Sequence, residues 1–228
     1  LWRLADLWRS KQDEKTVKRF DKFVVLTEED KGYWGNLPNI TVIPNANTFV
    51  TDQITLLENK KVIAVGRYTY QKGFERLVKA WKIVALQFPD WKLDIVGDGE
   101  ERIVLQELID SYGLEKQITL VYPTQQIEDV YRDASLLVLS SRYEGLPMVL
   151  LEAQTFGLPI VAFACKCGPR DLIRDGIDGF LVPDGDFESL AVKMMMLMRN
   201  DSLRKQMGQA AYQSSLNYTE DKIMSQWI

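Results

Sequence analysis

The sequence predicts an α/β fold built on a doubly wound, Rossmann-like parallel sheet. Three observations predict it. From Lys60 onward, short apolar runs alternate with longer segments of helical period. The runs are apolar at nearly every position, the pattern of strands covered on both faces. Gly and Pro punctuate the junctions, as at Gly66, Gly97, Gly157 and Pro159.

Taken in order, residues 23–26 (FVVL) read as a buried strand. Thr27 followed by Glu28, Glu29 and Asp30 is an N-cap with an acidic first turn, a helix start. Residues 39–43 form another short strand, closed by Pro44-Asn45-Ala46-Asn47, which places a boundary near residue 44. The regular region then offers strands at 62–65, 92–96, 118–121, 136–139, 159–163 and 180–182. Between them lie helices at 74–87, 100–111, 126–133 and 147–156, with a short one near 170–174. Alternation of this kind requires a parallel sheet with helices on both faces. Residues 186–228 read as two or three further helices, with Met194, Met195, Met196 and Met198 as core packing. Residues 1–20 carry apolar and charged groups at helical spacing, and Trp2, Leu4, Leu7 and Trp8 are anchors with no evident partner nearby.

Composition excludes several functions. The chain has 228 residues, 46% of them hydrophobic, enough for one large core or two small ones. Lys and Arg number 28 against 32 Asp and Glu, a net charge of −4, so nucleic acid is not the expected partner. There is no apolar run of about eighteen residues, so no membrane span is expected. Cys165 and Cys167 flank a single Lys, a poor spacing for a disulfide and half of what a zinc site needs. Two reduced thiols in a reducing cytoplasm are expected. The absence of His excludes a His base, a Ser-His pair or a His-ligated metal within the chain.

Ligands of such sheets sit beyond the carboxyl ends of the strands. The loop 66–73 places Arg67 and Lys72 there, a planar fork and a point charge that suit a diphosphate. It has neither the Gly-x-Gly-x-x-Gly of a dinucleotide site nor the Gly-Lys-Ser/Thr of a P-loop, and two solvated surface cations fit it equally well. Gly97-Asp98-Gly99 is a turn into a helix. Tyr122-Pro123-Thr124 could offer backbone groups or a ring to a base, and Arg170 after Gly168-Pro169 is a third candidate cation.

The stretch 140–171 carries the most chemistry. Glu144 lies in a loop, Pro147 suits the first helical position, and Gly157 suits the left-handed helix end. The N–H groups of Met148 and Val149 then face outward at the positive pole, where phosphate binds readily. Glu152 sits inside the helix, and a carboxylate there can accept from both hydroxyls of a vicinal diol. The spacing alone is weak, since two Glu eight positions apart arise by chance about once in a chain this long.

Together these residues resemble the retaining glycosyltransferases of family 4, which have the two-domain GT-B fold. The matching pieces are Gly66-Arg67 with Lys72-Gly73, Gly97-Asp98-Gly99, and Ser141, Glu144, Gly145, Glu152 and Ala153 in a Glu-x7-Glu context. Residues 157–161, Gly168-Pro169 and residues 175–183 complete the set. Pro147 stands where many relatives have Gly, and Tyr122-Pro123 replaces a commoner Gly-containing turn.

The resemblance implies roles. Arg67 and Lys72 bind the donor's diphosphate and neutralise the leaving group, and Glu144 contacts the transferred sugar near the reacting face. Glu152 holds the ribose, while Gly66, Gly145, Leu146, Met148, Val149 and Tyr122 complete the donor site. No metal or other cofactor is implied. The implied reaction moves a sugar from a nucleotide-diphosphate sugar, a UDP-sugar first among them, to a glycan or lipid-linked acceptor. The anomeric configuration is retained, by front-face attack rather than through a Glu144 nucleophile of the glycosidase kind.

The resemblance also divides the chain. Residues 44–215 correspond to the donor-binding C-terminal half. Residues 1–43 correspond to the last helix and strand of an N-terminal acceptor domain, and 216–228 to a helix returning to it. On this expectation the fragment binds donor but turns over little, and any peripheral membrane association at the cytoplasmic face belongs to the other half. Two other readings fit the sheet: a sugar-nucleotide epimerase, and a non-catalytic nucleotide-binding module.

Overall fold

The structure, a computed structural model, describes residues 13–227; Trp2, Leu4, Leu7 and Trp8 lie outside the described residues. Residues 13–17 are helical. Strand β1 (Phe23–Val25) leads to helix α1 (Glu28–Tyr33), capped by Thr27, whose side chain accepts from the Asp30 N–H. Strand β2 (Ile40–Val42) pairs parallel with β1, and Val17, Val25 and Ile40 form a small core of their own.

The main sheet has six strands: β3 (Lys61–Val65), β4 (Lys92–Val96), β5 (Ile118–Val121), β6 (Leu136–Leu139), β7 (Ile160–Phe163) and β8 (Gly179–Val182). All pair parallel in the order β5-β4-β3-β6-β7-β8. The chain winds outward from β3 in one direction, then restarts at β6 and winds in the other. The order therefore reverses between β3 and β6, and the crevice above that point is where such sheets bind ligands.

Alternate strand residues serve opposite faces. Val62 and Ala64 join Trp81, Leu93 and Leu105 under helices α2 (Phe74–Ala85), α3 (Arg102–Ser111) and α7 (Phe187–Arg199). Ile63 points to the other face, with Leu137, Leu150 and Phe156, under α4 (Ile127–Arg132) and α5 (Met148–Thr155). Short α6 (Pro169–Leu172), α8 (Asp201–Ser215), a 3-10 turn (Leu216–Tyr218) and α9 (Glu220–Met224) complete the described chain.

Each strand expected from the apolar runs is present, within a residue of its expected bounds. Met194, Met195 and Met198 are buried as core packing, whereas Met196 faces solvent. One helix start differs. Pro147 is the N-cap and not the first helical residue: its ψ of 95° is extended, and its carbonyl accepts from the Leu150 N–H at 2.9 Å.

Candidate functional site

The loops that follow β3 and β6 clasp each other above the crevice. Ser140 Oγ donates to the Lys72 carbonyl at 2.9 Å, and Gln71 Nε2 donates to the Tyr143 carbonyl at 3.0 Å. Arg142 pairs with Glu75 and lies 3.8 Å from the Tyr70 ring centroid. The approach is close enough to require glycine: at Gly73, with φ +59°, a Cβ would sit 2.7 Å from the Ser140 carbonyl oxygen.

Across this clasp, Lys72 Nζ meets Glu144 Oε1 at 2.7 Å. The pair is largely withdrawn from water, with 17% of the Lys72 side chain and 6% of that of Glu144 exposed. Ser141 Oγ donates to the same Oε1 at 2.6 Å, and the Glu144 N–H donates to the Lys166 carbonyl at 2.9 Å. Oε2 of Glu144 has no hydrogen bond among the described residues, and the ammonium, with three donors, retains bonds to give.

Lys72 lies across Gly66, where a Cβ would meet its Cε at 3.2 Å. Gly66 in turn lines a cleft of about 390 Å³ together with Arg67, Gly97, Pro123, Thr124 and Glu152. Val65, Val96 and Ile127 give the cleft its apolar wall. Gly97 is sterically fixed, because a Cβ there would lie 1.9 Å from the Gly66 carbonyl oxygen. Arg67 is exposed and has no hydrogen bond or ion pair among the described residues, so its five donors are free for a ligand. Glu152 accepts from Tyr131 Oη at 2.5 Å and from Thr48 Oγ1 at 3.2 Å. The cleft thus offers a free guanidinium, a carboxylate and backbone that a ligand can approach closely.

Several expected site residues lie differently. Tyr122 does not line the cleft: its ring is 62% exposed and carries the Arg102 guanidinium 3.7 Å from its centroid. Its neighbours Pro123 and Thr124 line the cleft in its place. Arg170 is not a free cation, because it donates to the carbonyls of Ala164 and Cys165 and pairs with Glu29 at 3.2 Å. Leu146 is buried in the core, while Gly145 is exposed. Met148 and Val149 open α5, which has no side-chain cap, and their N–H groups precede the first intrahelical bond.

Cys165 and Cys167 are free thiols, and burial pushes the Cys165 thiol up to about 12, with the Glu144 charge adding to the effect. Among the described residues, no group of three or more His, Cys, Asp or Glu could hold a metal ion. A second cavity, about 430 Å³, lies between residues 13–36 and Lys166; Asp13, Asp30, Tyr33 and Trp34 are among its walls. Its cation, Lys166, lies 4.3 Å from the Tyr33 ring centroid, and the cavity does not share the smaller cleft's position at the sheet's switch point.

Sequence reasoning overlooked Tyr131 and Thr48. Tyr131 had a signal, since Ile127 and Tyr131 stand four apart and mark the inward face of α4. Thr48 had none, because it belongs to an aperiodic stretch.

This sheet order, with cations and carboxylates gathered at the switch point, defines a doubly wound, Rossmann-like α/β domain. The chain belongs to the glycosyl transferases group 1 family, whose family model matches residues 50–214. It is 41% identical over 217 residues to the amylovoran biosynthesis glycosyltransferase AmsD of Erwinia amylovora, covering 91% of this chain and 61% of the relative. It is 36% identical over 215 residues to an uncharacterized glycosyltransferase of Haemophilus influenzae, covering 92% of this chain and 61% of the relative. A crystal structure of a Gly-to-Arg mutant of Staphylococcus aureus TarM in complex with fondaparinux, α-GlcNAc-glycerol and UDP superposes with a TM-score of 0.86 at 26% identity. That match covers 95% of this chain and 45% of TarM. The chain spans about 61% of the length of these two curated relatives.

Proposed function

We propose that this chain supplies the donor site of a retaining glycosyltransferase that moves a sugar from a nucleotide-diphosphate sugar, a UDP-sugar, to a glycan or lipid-linked acceptor. The observation that carries the reading is the convergence of Arg67 and Glu152 on one cleft beside the Lys72–Glu144 pair. Arg67 and Lys72 take the diphosphate, assisted by the Met148 and Val149 N–H groups. The ribose lies against Glu152, and the base lies toward Pro123 and Thr124. Glu144 stands beside the transferred sugar.

In the proposed step, an acceptor hydroxyl attacks the anomeric carbon on the face from which the phosphate departs. The bond from that carbon to the β-phosphate oxygen breaks, and its electrons stay on the oxygen. The same oxygen takes the acceptor proton, so the chain supplies no base. Arg67 and Lys72 act electrostatically, meeting charge as it grows on the leaving group. No metal or cofactor enters this scheme. UDP bound to TarM supports the choice of donor class.

Residues 44–215 form the donor domain in this reading, with 1–43 and 216–228 belonging to an acceptor-binding half. The separate β1–β2 sheet with its own small core supports that division. Among the described residues, no helix is long and apolar enough to cross a membrane. We place the enzyme in the cytoplasm, where free thiols such as Cys165 and Cys167 persist, with room for peripheral association at the membrane's inner face.

The test is to incubate the complete protein with UDP-sugars of α configuration and follow slow donor hydrolysis by proton NMR. The α sugar should form first. A β product would contradict front-face attack, and no donor consumption by folded protein would contradict the transferase reading.

A further inference from the structure

We infer that Tyr131, with Thr48, is a positioning residue that presents Glu152 as a receptor for the ribose diol, so that the site selects ribonucleotides over deoxyribonucleotides. The inference rests on the donor-site reading above and deepens it.

A carboxylate has about four acceptor positions, two on each oxygen. Tyr131 Oη occupies one on Oε2, and Thr48 Oγ1 occupies one on Oε1. One position remains on each oxygen. That is the number a vicinal diol fills, one hydroxyl to each oxygen, and the carboxylate is then saturated. A nucleotide without its 2′-hydroxyl leaves one position empty inside a cleft closed by the nucleotide itself.

The holding hydroxyls differ in firmness. Tyr131 is fully buried, and its ring stacks on Phe156 at 5.4 Å and 7° and abuts Phe49 at 6.3 Å. The phenol therefore cannot swing away. Burial and the Glu152 charge also hold it well above its ordinary ionisation range, so it remains a donor. Thr48 is exposed and its bond is longer, so it trims the orientation and does not set it. Without Tyr131 Oη, Oε2 would face an apolar ring edge, and the carboxylate would rotate toward water and out of register with the diol.

The experiment measures, by calorimetry, the affinity of the purified chain for UDP, GDP and ADP and for their 2′-deoxy counterparts. The best-binding ribonucleotide should be preferred over its deoxy form by about tenfold or more. Tyr131→Phe keeps the stacked ring and removes only the hydroxyl. It should weaken the ribonucleotide while sparing the deoxynucleotide, cutting the preference to about threefold or less, and Thr48→Val should lower it by a smaller factor. In a Glu152→Ala background, Tyr131→Phe should have no further effect.

An equal loss of affinity for both nucleotides in Tyr131→Phe would make the residue merely structural and overturn the inference. Retention of the full preference in both Tyr131→Phe and Thr48→Val would do the same. If the unaltered chain binds no nucleotide, the donor-site reading itself fails and the inference goes with it.

Discussion

Glu144→Gln separates the structural role of the central ion pair from its role toward ligand. The substitution keeps size and shape but removes the charge. Lys72 Nζ, now 2.7 Å from a carboxylate oxygen, would face an amide, and Ser141 Oγ at 2.6 Å would lose an ionic acceptor. Hydrogen bonds to charged groups contribute about 1.5–3 kcal/mol and neutral ones about 0.5–1.5, so the swap costs about 1–2 kcal/mol. The 3–5 kcal/mol typical of breaking a fully buried pair is too high here, because 17% of the Lys72 side chain reaches water. For a chain of this length, about 1–2 kcal/mol lowers Tm by about 2–8 °C. The assay is urea unfolding followed by circular dichroism, with and without UDP. Ligand-free stability should fall, while UDP should bind as well or better, since Lys72 no longer shares its charge with Glu144. Transfer by the complete protein should drop. Unchanged ligand-free stability would show that solvent, not Glu144, satisfies Lys72, and a collapse of UDP affinity would show that the pair acts on the diphosphate as a unit.

Gly97→Ala should destabilise by about 3 kcal/mol and abolish nucleotide binding, because the new Cβ would lie 1.9 Å from the Gly66 carbonyl oxygen in the cleft wall; a urea midpoint near that of the parent would refute the close approach. Arg204 is 3% exposed and donates to the Leu57 carbonyl at 3.1 and 2.9 Å and to that of Leu197 at 2.8 Å. Arg204→Ala should therefore cost about 3–5 kcal/mol in the same assay, while the folded fraction still binds nucleotide normally. Stability should also fall in alkali. Burial pushes the Cys165 thiol and the Tyr68 phenol up to about 12, so the unfolded chain releases these protons first. The folded state binds more protons between about pH 9 and 12 at Cys165 and between about pH 10 and 12 at Tyr68, and stability drops by up to about 1.4 kcal/mol per pH unit for each group within its window. Urea melts from pH 7 to pH 10.5 should show the decline, with a shallower one in Cys165→Ala; a flat profile would contradict it.

The sheet was legible because its strands are apolar on both faces, a pattern no amphipathic helix shares. The end of α5 was legible for a local reason. Gly157, with φ +71°, closes it, and the N–H groups of Gly157 and Leu158 return to the carbonyls of Gln154 and Ala153 at 2.9 and 3.0 Å. Long-range pairings were not legible. Arg67 and Lys72 share one loop, yet Arg67 has no partner among the described residues while Lys72 is tied to Glu144, 72 positions away. Nor was it legible that Arg102, on the adjoining helix, stacks on the Tyr122 ring while donating to the Leu120 carbonyl at 2.9 Å. Arg170 likewise looks free in sequence, but the turn into α6 folds it back onto the loop that follows β7. The hydroxyls that hold Glu152 come from a helix and a crossing segment far apart in the chain, and only the fold brings them together.

Nucleotide-dependent thermal unfolding of the parent chain and of Arg67→Ala tests most directly the central claim, that the cleft between the β3 and β6 loops holds a nucleoside diphosphate. A ligand at a hundredfold its Kd stabilises by about 2.7 kcal/mol, or about 5–11 °C for a chain of this length. The parent should rise by that amount with UDP and by much less with GDP or ADP. Arg67→Ala should unfold at the parent's ligand-free temperature, since Arg67 has no partner to lose, and should gain little from UDP. An equal UDP-dependent rise in parent and variant, or none with any nucleotide in either the chain or the complete protein, would contradict the account.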